Sequence, residues 1–357
     1  MPELHAISGV GVKGPACFLL QMEGRNLLLD LGRGPDGATL PEPGGLPPID
    51  AILFSHGHAD HTGGLELWEG LGKPPLYATT PTIALARDPA LQQATALDGV
   101  TQICGLPLLT GAAGHAPGAV WMRIGGEGGL LYTGDISAES VLFQFQPPPA
   151  ARALVLDASY GAAGETLRRQ TQTILALADQ PVLFPCPAGG RGLEMAWTFL
   201  RRGLPVSICA SHRKVIRRLL DFPEWLTAGS VVALDHLLQH AGELEDDSAI
   251  AGIMIAAGPN AERGTAAVLA QRIAQDGGGR IVLTGHVAEG SPAEDLLSQG
   301  RAEFYRWNVH PSFSGANDIV RACAPRTMIA AFCDPGTLCR LRAASGWPIA
   351  PGGRLAW

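Results

Sequence analysis

Short runs of apolar residues, each closed by glycine or a polar residue, set the texture of the first half of this chain. Ala16–Leu20, Asn26–Leu29, Ala51–Phe54, Leu106–Leu109, Leu130–Thr133 and Ala153–Leu156 have the length and apolar content of buried strands bounded by turn residues. From about residue 166 the pattern changes. Apolar spacing of three and four residues predicts helices over Glu165–Asp179, Leu193–Arg202 and Thr265–Asp276, alternating with strands at Val182–Pro185, Val206–Ala210, Gly252–Ala257 and Arg280–Thr284. This strand–helix alternation favours a parallel sheet and a domain of its own. Pro- and Gly-rich stretches at 34–48 and 146–149 read as surface loops, and no internal repeat is present.

In the first half, the residues with reactive side chains follow the strands. Asp30 follows the second strand, His56 to His61 the third, His115 lies beyond the fourth, Asp135 follows the fifth and Asp157 the sixth. Polar residues at successive strand ends converge on one rim of a sheet. The segment Ser55-His56-Gly57-His58-Ala59-Asp60-His61-Thr62 offers four metal ligands within six residues. Histidines two apart cannot share a helix face, so His56 and His58 must project from an extended turn, with Asp60 and His61 near the start of the helix that follows. Imidazole and carboxylate together suit zinc, manganese or iron.

Composition narrows the class. With 357 residues, 46% hydrophobic and 17% charged, the chain can bury a large core and is not of disordered composition. The seven cysteines are scattered and never spaced as C-x-x-C, which argues against a disulfide framework or a thiolate zinc finger. No apolar run reaches the ~18 residues of a membrane span, and the N-terminus lacks a basic region leading into an apolar stretch. The expected compartment is the cytoplasm, with no membrane partner. Net charge is −7, and residues 1–165 carry 7 basic against 16 acidic side chains. Bound cations would offset part of that excess, whereas general nucleic-acid affinity, which rests on neutralising phosphates, is not supported by it.

The histidine segment resembles the H-x-H-x-D-H signature of the metallo-β-lactamase superfamily. Gly114-His115-Ala116-Pro117-Gly118 resembles that family's third motif and Tyr132-Thr133-Gly134-Asp135-Ile136 its fourth. Asp30 in Leu29-Asp30-Leu31-Gly32 matches the first. The resemblance implies that His56, His58 and His115 hold one metal, that Asp60 and His61 hold another, that Asp135 bridges them, and that Asp30 supports the histidine loop from behind. One or two divalent ions, zinc foremost, are therefore expected. Paired ions would activate a shared water toward phosphodiesters, thioesters or lactams alike, so the motif gives a reaction type without a substrate.

The second half resembles the β-CASP branch, nucleases of RNA processing and DNA repair with a domain inserted into the lactamase fold. Leu156-Asp157-Ala158-Ser159-Tyr160-Gly161, Ala188-Gly189-Gly190-Arg191-Gly192-Leu193-Glu194, Gly285-His286-Val287-Ala288-Glu289-Gly290-Ser291 and Ser312-Phe313-Ser314-Gly315-Ala316-Asn317-Asp318 carry this likeness in the right order. It implies catalytic roles for Asp60, Asp135 and Asp157 and substrate contacts from Arg191 and Ser314. Two departures stand out. The branch's proton-donating histidine falls on Ala316. Its last metal-ligand histidine falls on Phe332, and neither side chain can ligate or donate a proton. Cys333, Asp334, His286 and His310 are the candidate substitutes, and without one the Asp60/His61 metal is expected to bind more weakly. Glu294, where the branch often has arginine, removes a phosphate contact.

The stretch 191–218 holds six arginines and Lys214 against the single acid Glu194. It reads as a solvated helix face with Arg191 and Glu194 paired three apart, or alternatively as a track for a phosphate backbone. The expectation is an α/β fold: an αββα metallo-β-lactamase sandwich from 1–165 and 300–357, with a β-CASP-like α/β domain inserted at 166–299. The expected activity is metal-dependent hydrolysis of an RNA-like phosphodiester. A hydrolase of a small anionic metabolite and a non-catalytic scaffold or binding subunit are the alternatives, and a homo-oligomer is compatible with either.

Overall fold

The computed structural model describes residues Met1 to Trp357. The chain forms two compact units, Met1–Ala138 with Gln144–Gly164 and His310–Trp357, and Glu139–Phe143 with Glu165–Val309. The fold is α/β, with the first unit built as a metallo-β-lactamase-type sandwich around two sheets. One sheet has seven strands, in the order Arg354–Ala356, Glu3–Ser8, Cys17–Met22, Arg25–Leu29, Ala51–Leu53, Leu76–Ala78 and Thr95–Ala96. The other has six, in the order Thr327–Ala331, Ala153–Asp157, Leu130–Tyr132, Val120–Ile124, Leu106–Ala112 and Gln102–Ile103. Their inner faces meet through aromatic rings, Phe18 of the first sheet lying 5.5 Å from Tyr132 of the second and 6.0 Å from Phe332.

Each predicted strand of this half appears within a few residues of its expected ends. Leu27, Leu28, Leu29, Ile52 and Leu53 are fully buried, which is why their runs are continuous rather than alternating. Polar chemistry is displaced to the strand ends. Asp30, Ser55, Thr133 and Asp157 are all buried where a strand finishes or has just finished.

The second unit contains a six-stranded sheet in the order Gly242–Leu244, Val206–Cys209, Ile253–Ala257, Val182–Cys186, Arg280–Leu283 and Glu303–Phe304. Every pairing in it is parallel. The expected helices form at Leu167–Leu175, Arg191–Leu200 and Gly264–Asp276. This unit runs past the expected 299. The strand Glu303–Phe304 pairs with Val282 and Leu283, and Asn308 exchanges two hydrogen bonds with Gln170 (2.8 and 2.9 Å).

Two of the seven basic residues in the stretch 191–218 leave the solvated face. Arg191 and Glu194 are both buried. Glu194 takes its bonds from the Ser140 hydroxyl and the Val141 amide rather than from Arg191, and burial pushes its carboxyl above the usual range. Arg213 is buried on the carbonyls of Leu238 and Ala241. Arg201, Arg202, Lys214, Arg217 and Arg218 stay exposed. No helix is long and apolar enough to cross a membrane.

His212, on the helix Ala210–Leu219, is fully buried with Nδ1 3.2 Å from the Cys209 thiol, and burial holds its imidazole down at about 4. The folded chain therefore disfavours the proton that an unfolded histidine takes up near 6.5. Stability from this group is complete above about pH 6.5 and falls as pH drops toward about 4, by about 3 kcal/mol in all. Denaturant titrations across that range should show the loss in the native protein and a smaller one in His212→Gln. An equal loss in both would remove His212 as its source.

Candidate metal centre

The centre lies wholly in the first unit and is assembled by turns that side chains of ordinary size could not make. His56 to His58 extend from the strand Ala51–Leu53, and the short helix Ala59–Thr62 then carries Asp60 and His61. His58 caps that helix with extended backbone angles, as the two-residue histidine spacing requires. Gly114 and Gly134 precede His115 and Asp135, both with positive φ (70° and 52°). A Cβ at Gly114 would lie 2.1 Å from the Ser137 carbonyl oxygen, and one at Gly134 would lie 2.5 Å from the Ser55 Cβ. Only glycine allows both approaches.

Two groups of ligand atoms result, each within 4.8 Å: His56, His58, His115 and Asp135, and Asp60, His61 and Asp135. In the first group His115 Nε2 lies 3.1 Å from His58 Nδ1 and 3.5 Å from Asp135 Oδ2, with His56 Nε2 3.9 Å from the same oxygen. His56 Nε2 is buried with no hydrogen-bond partner. A buried polar atom left in that state costs stability unless something else binds it, and a converging set of three imidazoles and a carboxylate fits a divalent ion. Burial and then the charges of His61, His58 and His115 hold the His56 imidazole well below its usual value, so it presents a lone pair rather than a proton. The second group is poorer. His61 Nε2 lies 3.3 Å from Asp135 Oδ1 and Asp60 is the remaining donor, three in all.

Asp30 holds the arrangement from behind. Its carboxylate is fully buried and accepts from the Ser55 amide (2.7 Å), the Ser55 hydroxyl (2.7 Å), His61 Nδ1 (2.7 Å) and the Tyr132 hydroxyl. Burial alone would lower His61, but the carboxylates of Asp135 and Asp30 outweigh it and hold the ring well above its usual value.

Asp157 and His310 form the third cluster with Asp135. His310 Nδ1 lies 2.7 Å from Asp157 Oδ2 and 3.7 Å from Asp135 Oδ2. Asp157 also accepts from the Ser159 amide (3.0 Å) and hydroxyl (2.6 Å). Of the four candidate substitutes, His310 alone joins the cluster. Cys333 is buried among Ala158, Ala330, Leu338 and Leu341, outside every ligand group, and burial pushes its thiol up to about 11. Asp334 caps the helix Pro335–Ser345, bonded to the Thr337 amide and hydroxyl. His286 is exposed in the second unit, outside every ligand group. Arg191 is buried there too, its guanidinium so close to Gly285 that a Cβ would overlap it. Ser314 is exposed on the first turn of the helix Phe313–Cys323. Ala316 packs into an apolar cluster with Ile319 and Val320, and Phe332 stands edge-on to His61 at 5.1 Å.

Sequence reasoning missed Lys13. Its ammonium donates to the Ser159 hydroxyl (2.9 Å), lies 3.5 Å from His310 Nε2 and 3.9 Å from Asp135 Oδ2, and sits over the Phe332 ring. Burial would lower it, but Asp135, Asp60 and Asp157 together hold it above the usual lysine range. Reciprocally, burial would raise Asp135, and Lys13, His310 and His61 keep it well below the carboxylate range. The available signal was small: Lys13 is one of three lysines in the chain, set in the glycine-rich run Gly9-Val10-Gly11-Val12-Lys13-Gly14.

Comparison with known proteins adds names to this geometry. The profile described as the metallo-beta-lactamase superfamily matches residues 10–184. Transcription termination factor FttA of Cenarchaeum symbiosum is 30% identical over 54% of this chain and 38% of its own length. A ribonuclease of Thermus thermophilus is 30% identical over 53% of this chain and 52% of its own. An RNase J-like protein of Methanocaldococcus jannaschii is 22% identical over 79% and 77%. The chain thus spans about half or less of the first two relatives. A crystal structure of a protein of unknown function from Enterococcus faecalis V583 superposes over 100% of both chains with a TM-score of 0.58 at 13% identity, a likeness of fold.

Two outcomes follow from the geometry. His56→Ala combined with His58→Ala should abolish tight zinc binding while leaving circular dichroism largely unchanged; full metal content in that double variant would refute the assignment. Asp30→Ala should strand the Ser55, His61 and Tyr132 donors and cost about 3–5 kcal/mol, read from chemical denaturation, and a loss under 1 kcal/mol would show that those donors find other partners.

Proposed function

The chain belongs to the metallo-β-lactamase superfamily, in its β-CASP branch, and from that membership we propose that it is a metal-dependent hydrolase of RNA-like phosphodiesters. The observation that carries the reading is the four-donor set His56, His58, His115 and Asp135, three imidazoles and a carboxylate converging within 4.8 Å around a buried, unpartnered His56 Nε2. Zinc suits these donors. When bound, the ion supplies Lewis acidity toward water and toward a phosphoryl oxygen.

The chain's own residues supply orientation and proton handling. Asp157 Oδ2 accepts from His310 Nδ1, a tautomer assigned from the hydrogen bonds, so Nε2 is the ring atom that takes or gives a proton. His310 thereby covers the function whose histidine is replaced by Ala316. Asp60 and His61 face Asp135 from the other side, and Lys13 gives an anionic oxygen a cation to approach. The second unit, taken as the inserted β-CASP-like domain, carries exposed Arg201 and Arg202 beside a cleft of about 450 Å³ that Arg168 and Gln172 also line, a surface suited to phosphates.

The named relatives include a ribonuclease and an RNase J-like protein, which favours RNA over other phosphodiesters. A hydrolase of a small anionic metabolite is the second reading, favoured by the 16 acidic against 7 basic side chains of residues 1–165. Zinc-loaded protein should cleave bis(p-nitrophenyl) phosphate and single-stranded RNA, with RNA binding weakening steeply between about 50 and 200 mM salt. Cleavage of the small ester with no salt-sensitive RNA binding would favour the metabolite reading, and turnover of neither would leave a scaffold. His310→Ala should lower kcat about 10²–10⁴-fold with metal content unchanged, and an unaltered kcat would strip His310 of the proton-transfer role.

A further inference from the structure

The family geometry expects two cations, yet the second half of this centre is built differently. Asp60, His61 and Asp135 supply three donors. Beside this group stands Phe332, 1% exposed and edge-on to His61. The chain after Phe332 supplies no substitute, because Cys333 turns into an apolar cluster and Asp334 is spent capping a helix. His310, the imidazole that does arrive, commits Nδ1 to Asp157 and turns Nε2 toward Lys13 Nζ at 3.5 Å.

A positive charge is already present beside that half-site. The glycine-rich loop after the strand Glu3–Ser8 packs on Phe332, whose amide donates to the Gly9 carbonyl (2.8 Å), and a Cβ at Gly9 would crowd the Phe18 and Phe332 rings. Gly14 lies against Asp60, where an added Cβ would meet the Asp60 Cβ at 3.2 Å. Between these two anchors the loop delivers the Lys13 ammonium to Asp135, His310 and Ser159, over the face of the ring that replaces a ligand. A ring face attracts an ammonium and cannot bind a metal ion as imidazole does.

We propose that the ammonium of Lys13, seated on Phe332, takes the place of the second divalent cation, so that this centre holds a single metal ion at His56, His58, His115 and Asp135. The inference rests on the metal-dependent reading above and specifies it. Charge agrees with it. The Lys13 ammonium already lies 3.9 Å from Asp135 Oδ2, and a second divalent ion would add two further positive charges beside it. Lys13 and Phe332 also form a pair: the ring removes a ligand and provides the surface on which the replacement charge rests. Restoring the ligand alone should therefore not restore the second ion while the ammonium stays.

Elemental analysis of the full-length protein equilibrated with excess zinc and then desalted is the first test. One equivalent is expected in the native protein. Phe332→His alone should remain near one equivalent, and Lys13→Met combined with Phe332→His should rise to two. The same double variant loaded with manganese should show the electron paramagnetic resonance of an exchange-coupled pair, and the native protein that of an isolated ion. Two equivalents in the native protein would overturn the inference and leave the hydrolase reading intact. Two equivalents in Phe332→His with Lys13 in place would also overturn it, by showing that ligand loss alone excludes the second ion. No bound metal in the native protein would overturn both readings. Two equivalents in the native protein would overturn the inference even if a variant fails to fold.

Discussion

The centre depends on one fully buried carboxylate. Asp30 sits at the end of its strand in a left-handed conformation (φ 59°), uncommon for a residue with a side chain, and it joins three separate pieces of chain: the Ser55 turn, the helix bearing His61, and Tyr132 of the opposite sheet. Removing a charge from water is tolerable only when hydrogen bonds replace the lost hydration. The donors around Asp30 meet that requirement, and in doing so they fix the geometry that the ligands inherit. His61 must use Nδ1 to satisfy Asp30, so its Nε2 faces Asp135.

From that constraint follows an uneven distribution of charge across a few ångströms. On one side the imidazoles of His56, His58 and His115 crowd together, and burial with mutual repulsion keeps His56 neutral. On the other side Lys13, His310 and His61 surround Asp135 and favour its ionised form. The same carboxylate thus faces His56, His58 and His115 on one side and Lys13, His310 and His61 on the other.

The strands of the first unit were legible because burial on both faces writes continuous apolar runs, as at Leu27 to Leu29, and the ligand cluster was legible because His56 to His61 lie side by side in sequence. The strands Glu3–Ser8 and Arg354–Ala356 were not, since they pair with each other over only three residues and most of their positions are partly or fully exposed, which leaves little pattern. Lys13 escaped notice because its partners Ser159 and His310 are 146 and 297 residues distant, and only the folded chain brings a glycine-rich loop against them. Arg191 and Glu194 misled for the converse reason. Their spacing suits a surface pair, yet tertiary partners at Ser140 and Val141 draw Glu194 inside. Ligand substitution after Phe332 was likewise undecidable from spacing, because whether a neighbour can move in depends on which way the next helix starts.

The ligands of the centre are drawn from very different distances along the chain. His56 and His58 are two residues apart, whereas His58 and His115, in contact at 3.1 Å, are separated by 57. An unfolded chain would keep the compact histidine segment and hence a share of the affinity for metal, while losing the contributions of His115 and Asp135. By linkage, the metal stabilises the fold only by the excess of native over unfolded affinity, so tight binding here overstates how strongly the ion favours folding.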